Sequence, residues 1–365
     1  MSFYADPNIK NTERIFPEQG RSEYLRLDMN ENPTGLPSDF VDDVKKKITP
    51  EFLSTYPEPD DFRKKYAGYI GAKPENIMLG NGTDAILRYL LETFGEQGKD
   101  VVTVSPTFEM YRINCLLLGL NHRPVMYEWN ETMKRFFVPI EKICDAINEN
   151  TRVVIVTNPN NPMTDAYERE DFLRIVDRAE AFNAVVICDE AYHYFCESTM
   201  RDVALERKNV ILTRTFSKLM SIPALRLGVA IGDPEIIKVA RQSQLSFDVN
   251  AVALLFGEEL LGRADIVEGL IESEREGRKY LVEELKEEGY EYIAGEANYV
   301  LIKTKKDPKE VERLLREKKI LIHTYGSSSV IKDYLRVTTG SKDIMARFLI
   351  AFLEADQGTE SVDDK

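Results

Sequence analysis

The chain is poor in the residues from which several kinds of scaffold and site are built. Its 365 residues include four cysteines, three histidines and one tryptophan. The cysteines, at 115, 144, 188 and 196, form no CxxC pair, which excludes a disulfide-rich scaffold and predicts reduced thiols. The histidines lie far apart, with no HExxH motif and no pair at helical spacing, so we expect neither a metal centre nor a serine triad.

Long apolar runs and an excess of positive charge are also absent. The first ten residues, MSFYADPNIK, have no apolar core, and apolar runs such as 115–118 are far shorter than the roughly 18–20 residues of a membrane-spanning helix. Forty-eight basic against 62 acidic residues give a formal net charge of −14, which disfavours nucleic-acid and anionic-membrane partners because phosphate neutralisation needs a basic face. We therefore expect a soluble, cytoplasmic protein whose partners are small molecules. A small cationic pocket is compatible with this charge.

What the sequence does contain, from about Ile77 onward, is an alternation of short β-branched runs with amphipathic stretches at 168–182 and 234–245. The runs begin at Val101, Val153, Val185, Val210 and Leu227. Continuous apolar strands with helical crossovers predict an α/β fold, with a mostly parallel central sheet between helices. Ligands of such sheets bind beyond the carboxyl ends of the strands.

The length and the changes of pattern predict two domains with appendages. Residues 1–40, rich in Pro, Asn and charge, are expected to form an N-terminal arm and part of a small domain. Residues 41–270 are expected to form the large domain, 271–355 a smaller α+β C-terminal domain, and 356–365 an acidic, solvated tail.

The segment GNGTDA, Gly80 to Ala85, follows a strand-like run and precedes a helical pattern. Glycines there let the backbone approach a phosphate, and free amides at a helix start bind it. The pattern also fits the G-x-G-x-x-A of a dinucleotide fold, but the acidic residue expected about 20 residues later is missing. A cofactor phosphate, a purely structural turn and NAD binding all remain open from this motif.

The second candidate site is TFSKLMSIPALRLG, which follows the strand beginning at Val210. Lys218 is flanked by Thr215 and Ser217, and Arg226 comes eight residues later. Alone, Lys218 is compatible with an ordinary surface lysine. One amine able to form a Schiff base, two hydroxyls and a guanidinium suit a phosphorylated aldehyde cofactor.

Two further motifs end strands. Asp189 in DEAYHYF is an ordinary turn cap by itself, but a carboxylate beside a pyridine nitrogen would keep that nitrogen protonated, and pyridoxal phosphate chemistry needs such a ring. NPNNP, residues 158–162, is at least a rigid turn, and an Asn amide there could donate to the ring's phenolic oxygen. Because these motifs all lie at strand ends, we expect them to converge at one edge of the sheet.

Together the motifs resemble those of the fold-type I, class I/II pyridoxal-phosphate aminotransferases, most closely the histidinol-phosphate aminotransferase group. The resemblance runs from LDMNENP at 27–33 to LRVTTGS at 335–341. It implies pyridoxal 5′-phosphate as cofactor and a homodimer. It also implies a ping-pong transfer of an amino group from a donor to an oxo acceptor, and we expect the donor to be glutamate.

The resemblance also implies roles for individual residues. Lys218 would hold the cofactor covalently and move the proton, Asp189 would pair with the ring nitrogen, and Tyr192 and Asn161 would bond the phenolic oxygen. The remaining cofactor contacts would come from Gly82, Thr83, Asp84, Thr215, Ser217 and Arg226 at the phosphate, Phe108 on the ring, and Tyr56 from the neighbouring subunit. The residues expected to bind substrate are Arg336, which would bind the donor carboxylate, Asn32 and His323.

The sequence departs from the group's pattern at three places. Met163 and Thr164 replace Thr-Gly after NPNNP, Phe16 replaces an aromatic hydroxyl, and His323 replaces an arginine. The last two positions help to recognise a substrate phosphate in the group, so histidinol phosphate itself stays open as the substrate. A decarboxylase of a phosphorylated amino acid is the nearest alternative, and an NAD-linked oxidoreductase or a non-catalytic interaction protein are remoter ones.

Overall fold

The computed structural model describes residues 3–13, 19–132, 135–327 and 329–358, so Phe16 lies outside the described part. None of the helices in these ranges is both long and apolar enough to cross a bilayer. The α-helices are α1 Pro7–Lys10, α2 Ser38–Lys45, α3 Pro50–Ser54, α4 Asp60–Ile70, α5 Gly82–Phe94, α6 Met110–Leu118, α7 Ile140–Ala146, α8 Arg169–Glu180, α9 Arg201–Glu206, α10 Pro234–Ala240, α11 Ala251–Leu261, α12 Ala264–Glu287, α13 Pro308–Glu317 and α14 Lys342–Gln357. Short 3₁₀ turns lie at Arg21–Glu23, Pro74–Asn76, His193–Phe195, Pro223–Leu225 and Arg241–Ser243.

The strands of the described residues fall into a large sheet, a smaller sheet and two short pairs. They are β1 Leu25–Arg26, β2 Ile77–Asn81, β3 Asp100–Ser105, β4 Asn121–Met126, β5 Glu128–Asn130, β6 Arg135–Phe137, β7 Thr151–Thr157, β8 Val185–Asp189, β9 Val210–Thr215, β10 Leu227–Gly232, β11 Tyr292–Ile293, β12 Tyr299–Lys303, β13 Ile320–Leu321, β14 His323–Thr324 and β15 Tyr334–Thr338.

The large sheet has the order β2-β10-β9-β8-β7-β3-β4. Only β10 is reversed, since it pairs antiparallel with both β2 and β9 while the other pairs are parallel. The expected mostly parallel sheet is therefore confirmed, and all five predicted strands belong to it. Sequence reasoning missed β4, because this edge strand contains Pro124 and its residues are largely exposed, so it lacks an apolar run.

This topology brings the motifs to one edge. The carboxyl ends of β2, β7, β8 and β9 share that edge, and the reversal of β10 places its first residue there too. Arg226, immediately before β10, therefore lies beside the end of β9 although it follows Lys218 by eight residues. Two apolar clusters cover the faces of the sheet and hold the strand ends in place.

A second, separate core lies around the antiparallel sheet β11-β12-β15-β14. The arm contributes to it, because β1 pairs with β13 and Leu27 is fully buried there. Helix α12 spans both cores: Ile266 packs in the first and Leu281 in the second. The helix runs through residue 270 without a break, so the chain has no loop at the predicted boundary between the two domains.

The predicted tail at 356–365 begins too early. Helix α14 continues to Gln357, and Asp356 is buried. Its carboxylate accepts hydrogen bonds from the Tyr290 hydroxyl at 2.8 Å and from the backbone amides of Lys305 and Lys306. An acidic residue that looks solvated in the sequence is thus a structural acceptor in the second core.

Candidate active site

A cleft of about 940 Å³ opens at this edge of the large sheet, between it and the smaller sheet. Its walls contain twelve of the fifteen residues that the sequence singled out. These are Thr83, Asp84, Phe108, Asn161, Asp189, Tyr192, Thr215, Ser217, Lys218, Arg226, His323 and Arg336.

One end of the cleft is built for an anion. Helix α5 begins at Gly82, and Asn81 before it gives no side-chain cap, so its first amides are available. Gly82 has φ +78°, and a Cβ there would lie 2.6 Å from Arg226 Nη2. Only glycine therefore lets this guanidinium approach the start of the helix.

Hydroxyls complete this end. The Thr215 hydroxyl donates to Ser217 Oγ at 2.9 Å, and Arg226 Nη1 lies 3.4 Å from Ser217 Oγ and donates to the Pro223 carbonyl at 3.1 Å. Arg226 Nη2 pairs with the Asp84 carboxylate at 3.1 Å. Two hydroxyls, one guanidinium and a helix start are a suitable donor set for a phosphate.

Lys218 lies at the centre of the cleft. Its Nζ donates to the Met29 carbonyl at 2.8 Å. Enclosure by the protein, together with the nearby Arg336 cation, lowers the pKa of the Lys218 amine to about 8. A larger neutral fraction near neutral pH makes this amine a better nucleophile and base than an exposed lysine.

Asp189, at the end of β8, is a buried carboxylate. Its Oδ2 accepts from the Tyr111 hydroxyl at 2.7 Å and its Oδ1 from the Thr213 hydroxyl at 3.1 Å. Burial raises the pKa of Asp189 to about 6, although both hydrogen bonds oppose the rise. A cation placed against this carboxylate would be strongly attracted to it.

Tyr192 and Asn30 form a third group. The Tyr192 hydroxyl accepts from Asn30 Nδ2 at 2.9 Å, and the ring of Tyr192 packs edge-on against Tyr299. Burial raises the pKa of Tyr192 to about 12. The hydroxyl therefore keeps its proton and can donate it to an acceptor in the cleft.

Arg336, on β15, is buried and reaches the cleft from the smaller sheet. Its Nη1 donates to Asn161 Oδ1 at 2.7 Å and its Nη2 to the Asp28 carbonyl at 2.6 Å. The two terminal nitrogens therefore contact the loop after β7 and the N-terminal arm. A guanidinium held in this way has the fork geometry that binds a carboxylate through two parallel hydrogen bonds.

The departures from the group's pattern fall in two places in the described structure. His323 pairs across the sheet with Arg336 and packs edge-on against Tyr325; enclosure and the Arg336 cation lower the pKa of its imidazole. Thr164 has φ +68°, and its carbonyl accepts from the Glu296 amide at 2.9 Å. The loop carrying Asn161 is thus fixed to the smaller sheet by a residue in an unusual backbone conformation.

Three predicted residues do not line the cleft. Gly82 lies directly behind it, at the start of α5. Asn32 donates from its amide to Ser221 Oγ at 2.7 Å and borders a separate small cavity, so nothing in its contacts supports substrate binding. Tyr56 is 72 % exposed and stacks on Phe247 at a centroid distance of 4.3 Å.

Sequence reasoning missed three side chains that bond the predicted ones. Tyr111 and Thr213 hold Asp189, and Asn30 holds Tyr192. Two signals existed: Tyr111 is three residues after Phe108, and Thr213 is two residues before Thr215 and hence on the same face of its strand. For Asn30 the contact depends on how the arm folds over the cleft, and no periodicity predicts that.

Comparison with known proteins identifies the family. Residues 22–352 match the family described as aminotransferase class I and II. The chain belongs to this family. The predicted resemblance is confirmed, and this aminotransferase uses pyridoxal 5′-phosphate as predicted.

Relatives of similar length cover nearly all of this aminotransferase. A histidinol-phosphate aminotransferase of Moorella thermoacetica is 31% identical over 94% of this chain and 89% of its own length. One from Clostridium novyi is 29% identical, over 90% of this chain and 91% of its own. Among solved structures, the histidinol-phosphate aminotransferase from Sinorhizobium meliloti in complex with pyridoxal-5′-phosphate superposes with a TM-score of 0.84 at 20% identity, covering 98% of each chain. That likeness confirms the predicted fold.

The residues of this aminotransferase fit pyridoxal phosphate. The donor set at the start of α5 suits its phosphate, Lys218 suits its aldehyde, and the buried Asp189 suits its ring nitrogen. A second close approach supports the phosphate end: a Cβ on Gly228 would lie 2.7 Å from the Thr83 amide nitrogen, so β10 packs directly against the helix start. The cofactor would supply an electron sink for the substrate carbon.

Proposed function

We propose that this aminotransferase moves an amino group from glutamate to an oxo acceptor, with Arg336 binding the α-carboxylate of each substrate in turn. The observation that carries the proposal is the convergence, in one cleft, of a lysine amine, a buried carboxylate and a buried guanidinium. Lys218 is the group placed to take and return the proton of the substrate carbon. Family membership alone leaves both substrates open.

The other side chains would orient the reacting groups. Asp189 would keep a ring nitrogen protonated, while the Tyr192 hydroxyl and the Asn161 amide would bind the ring's oxygen. The Asn30 amide, which donates to Tyr192, fixes the direction of that hydroxyl. Phe108, edge-on to Tyr111, offers an apolar wall on which a ring would stack.

The identity of the acceptor can be narrowed by assay. The names of the relatives make histidinol phosphate the first amino substrate to examine, whereas His323 supplies no full charge for a phosphate near neutral pH. We propose assaying glutamate with a panel of oxo acids and phosphorylated ketones. Carbon dioxide released from an amino acid without any acceptor would instead support the decarboxylase.

Replacing Arg336 by lysine should raise KM for glutamate by about 10- to 100-fold and change kcat less. Lysine keeps the charge but cannot form two parallel hydrogen bonds with a carboxylate, and a bond to a charged group contributes about 1.5–3 kcal/mol. Steady-state kinetics measure both constants. Arg347→Lys, at an exposed position on α14, is the control and should leave KM unchanged; an equally small effect of Arg336→Lys would refute its role.

We also propose a cytoplasmic homodimer in which Tyr56 donates to the cofactor phosphate of the neighbouring subunit. The exposed Tyr56–Phe247 stack, with Leu53 and Leu245 also exposed, offers an apolar surface for such contact. Tyr56→Phe should weaken cofactor binding by about tenfold, the effect of one hydrogen bond to a charged group, without changing the mass by light scattering. A fully active monomer, or unchanged affinity in the variant, would contradict this proposal.

A further inference from the structure

A chain of hydroxyl groups leads away from Asp189 into the wall of the cleft. The Tyr111 hydroxyl contacts Asp189 Oδ2 at 2.7 Å and Thr157 Oγ1 at 2.9 Å. Thr157 Oγ1 lies 3.2 Å from Thr107 Oγ1, which lies 2.9 Å from Asn160 Oδ1. Tyr111, Thr157 and Asn160 are buried, and Thr107 lines the cleft.

The direction of the chain is fixed at its far end. Asn160 Nδ2 donates to the Pro106 carbonyl at 3.0 Å and to the Tyr127 hydroxyl at 2.9 Å, and a carbonyl can only accept. The Asn160 oxygen therefore faces Thr107. Since this oxygen can only accept as well, Thr107 must donate its single hydroxyl proton to it.

The hydroxyl protons are too few for the contacts. Along the hydroxyl chain there are four contacts between successive members, in the order Asn160, Thr107, Thr157, Tyr111 and Asp189. Only the three hydroxyls of Thr107, Thr157 and Tyr111 carry protons to fill these contacts. When Asp189 is ionised, one pair of oxygens has no proton between them. When Asp189 is neutral, its own proton goes to Tyr111 and every contact is a hydrogen bond.

We propose that Thr107 is a positioning residue which, through this hydroxyl chain, favours the neutral form of Asp189 and so opposes the pairing of its carboxylate with a protonated cofactor ring. The consequence for the cofactor rests on the proposed role of Asp189; the effect on Asp189 itself does not. The chain would thus limit how strongly the ring draws electrons.

The surroundings of Asp189 agree with this direction. Burial raises the pKa of Asp189 to about 6, and the Asp84 carboxylate of α5 adds to the rise. The other titratable groups that interact with Asp189 are Tyr111 of α6, Tyr192, which follows β8, and Cys188, the preceding residue of β8. Burial raises the pKa of each, so they stay uncharged near neutral pH.

Single substitutions should move the titration of Asp189 in opposite directions. Thr107→Val removes one hydroxyl proton and two of the four contacts, so two protons remain for two contacts. The ionised form of Asp189 then no longer leaves a pair of oxygens without a proton between them. Thr157→Val likewise leaves two hydroxyl protons for two contacts. Tyr111→Phe instead removes the donor to the carboxylate and should favour the neutral form. A merely structural role would not produce opposite signs.

The test is an infrared titration of the carboxyl stretch in the full-length, cofactor-free protein, assigned with Asp189→Asn. One hydrogen bond of ordinary net strength corresponds to about 0.7 pH units. We expect the midpoint to fall by that amount in Thr107→Val, to stay in Thr107→Ser and to rise in Tyr111→Phe. Thr93→Val, whose hydroxyl donates to the Tyr89 carbonyl on α5, is the matched control and should change nothing. An unchanged or higher midpoint in Thr107→Val would overturn the proposal.

Equilibrium binding of pyridoxal phosphate gives a second readout. Below the midpoint Asp189 must lose its proton to pair with a charged ring, so Thr107→Val should bind about fourfold tighter at pH 5 and equally well at pH 8. Equal affinities at pH 5 would overturn the effect on the cofactor. If no protein binds the cofactor while the infrared midpoints shift as expected, the proposed function fails and the hydroxyl chain stands.

Discussion

Lys218→Ala should abolish transamination, with a loss on the order of 10⁴-fold or more, because it removes both the attachment of the cofactor and the base that moves the proton. The lowered pKa of Lys218, caused by enclosure and by Arg336, means that the amine reacts in its neutral form at mildly alkaline pH. An alanine side chain can neither attach the cofactor nor move the proton. The visible absorbance of the purified enzyme should disappear in the same variant.

Two comparisons isolate this effect. Lys208→Ala, at an exposed lysine whose nearest acid is Glu235 at 3.4 Å, should retain full activity and colour. The Lys218 variant should still unfold near the wild-type temperature, since among the described residues the lysine makes one hydrogen bond, to the Met29 carbonyl. Residual turnover within tenfold of the wild type would rule out Lys218 as the reacting amine.

Arg214→Met should lower the free energy of unfolding by about 3–5 kcal/mol, because it leaves a buried carboxylate without its cation. Arg214 and Glu190 are both buried and pair at 2.9 Å. The Thr199 hydroxyl and the Met200 amide also bond this carboxylate, so Glu190 is held in place after its partner is lost. Denaturant unfolding of the full-length protein measures the loss.

The surface supplies the matched control. Arg313 pairs with Glu310 and Glu317 on an exposed face of α13, and Arg313→Met should cost no more than about 1 kcal/mol. Equal losses for the two variants would show that the buried pair contributes nothing special. Replacing both Arg214 and Glu190 by apolar residues should recover part of the stability, because no charge is then left buried.

Strand β9 contributes to the cleft on one face and to the stability of the sheet on the other. Side chains alternate along a strand, so Thr213 and Thr215 face the cleft while Arg214 points to the opposite face of the sheet. There its pair with Glu190 ties the end of β9 to the residue after Asp189. The ion pair on one face of the sheet thus stabilises the strand ends that hold the cofactor contacts on the other face.

Much of the site could be predicted because strand ends in a parallel sheet must meet at one edge. Asp189 and Thr215 each follow an apolar run whose length marks a buried strand, and this pattern was enough to bring them together. Arg226 could be expected at the phosphate because it shares a motif with Lys218, but the physical reason for its position is the reversal of β10. A run of apolar residues does not show the direction of its strand.

Other features depend on contacts between distant segments. Asp356 lies in an acidic segment that the sequence predicts to be exposed, yet its side chain is buried and accepts hydrogen bonds from the Lys305 and Lys306 amides. The segment LDMNENP has no periodicity to show which amide faces the cleft, so the sequence alone does not distinguish Asn30 from Asn32. Such assignments need the path of the arm over the second core, which only the folded chain supplies.

The most direct test of the central claim is a single half-reaction of the holoenzyme with glutamate and no acceptor. A transaminase must convert each site once, so the visible absorbance should be lost and one equivalent of 2-oxoglutarate per subunit should form. Adding an oxo acceptor should then restore the absorbance. Continuous release of carbon dioxide, or an unchanged spectrum with every amino donor in a panel, would contradict the account.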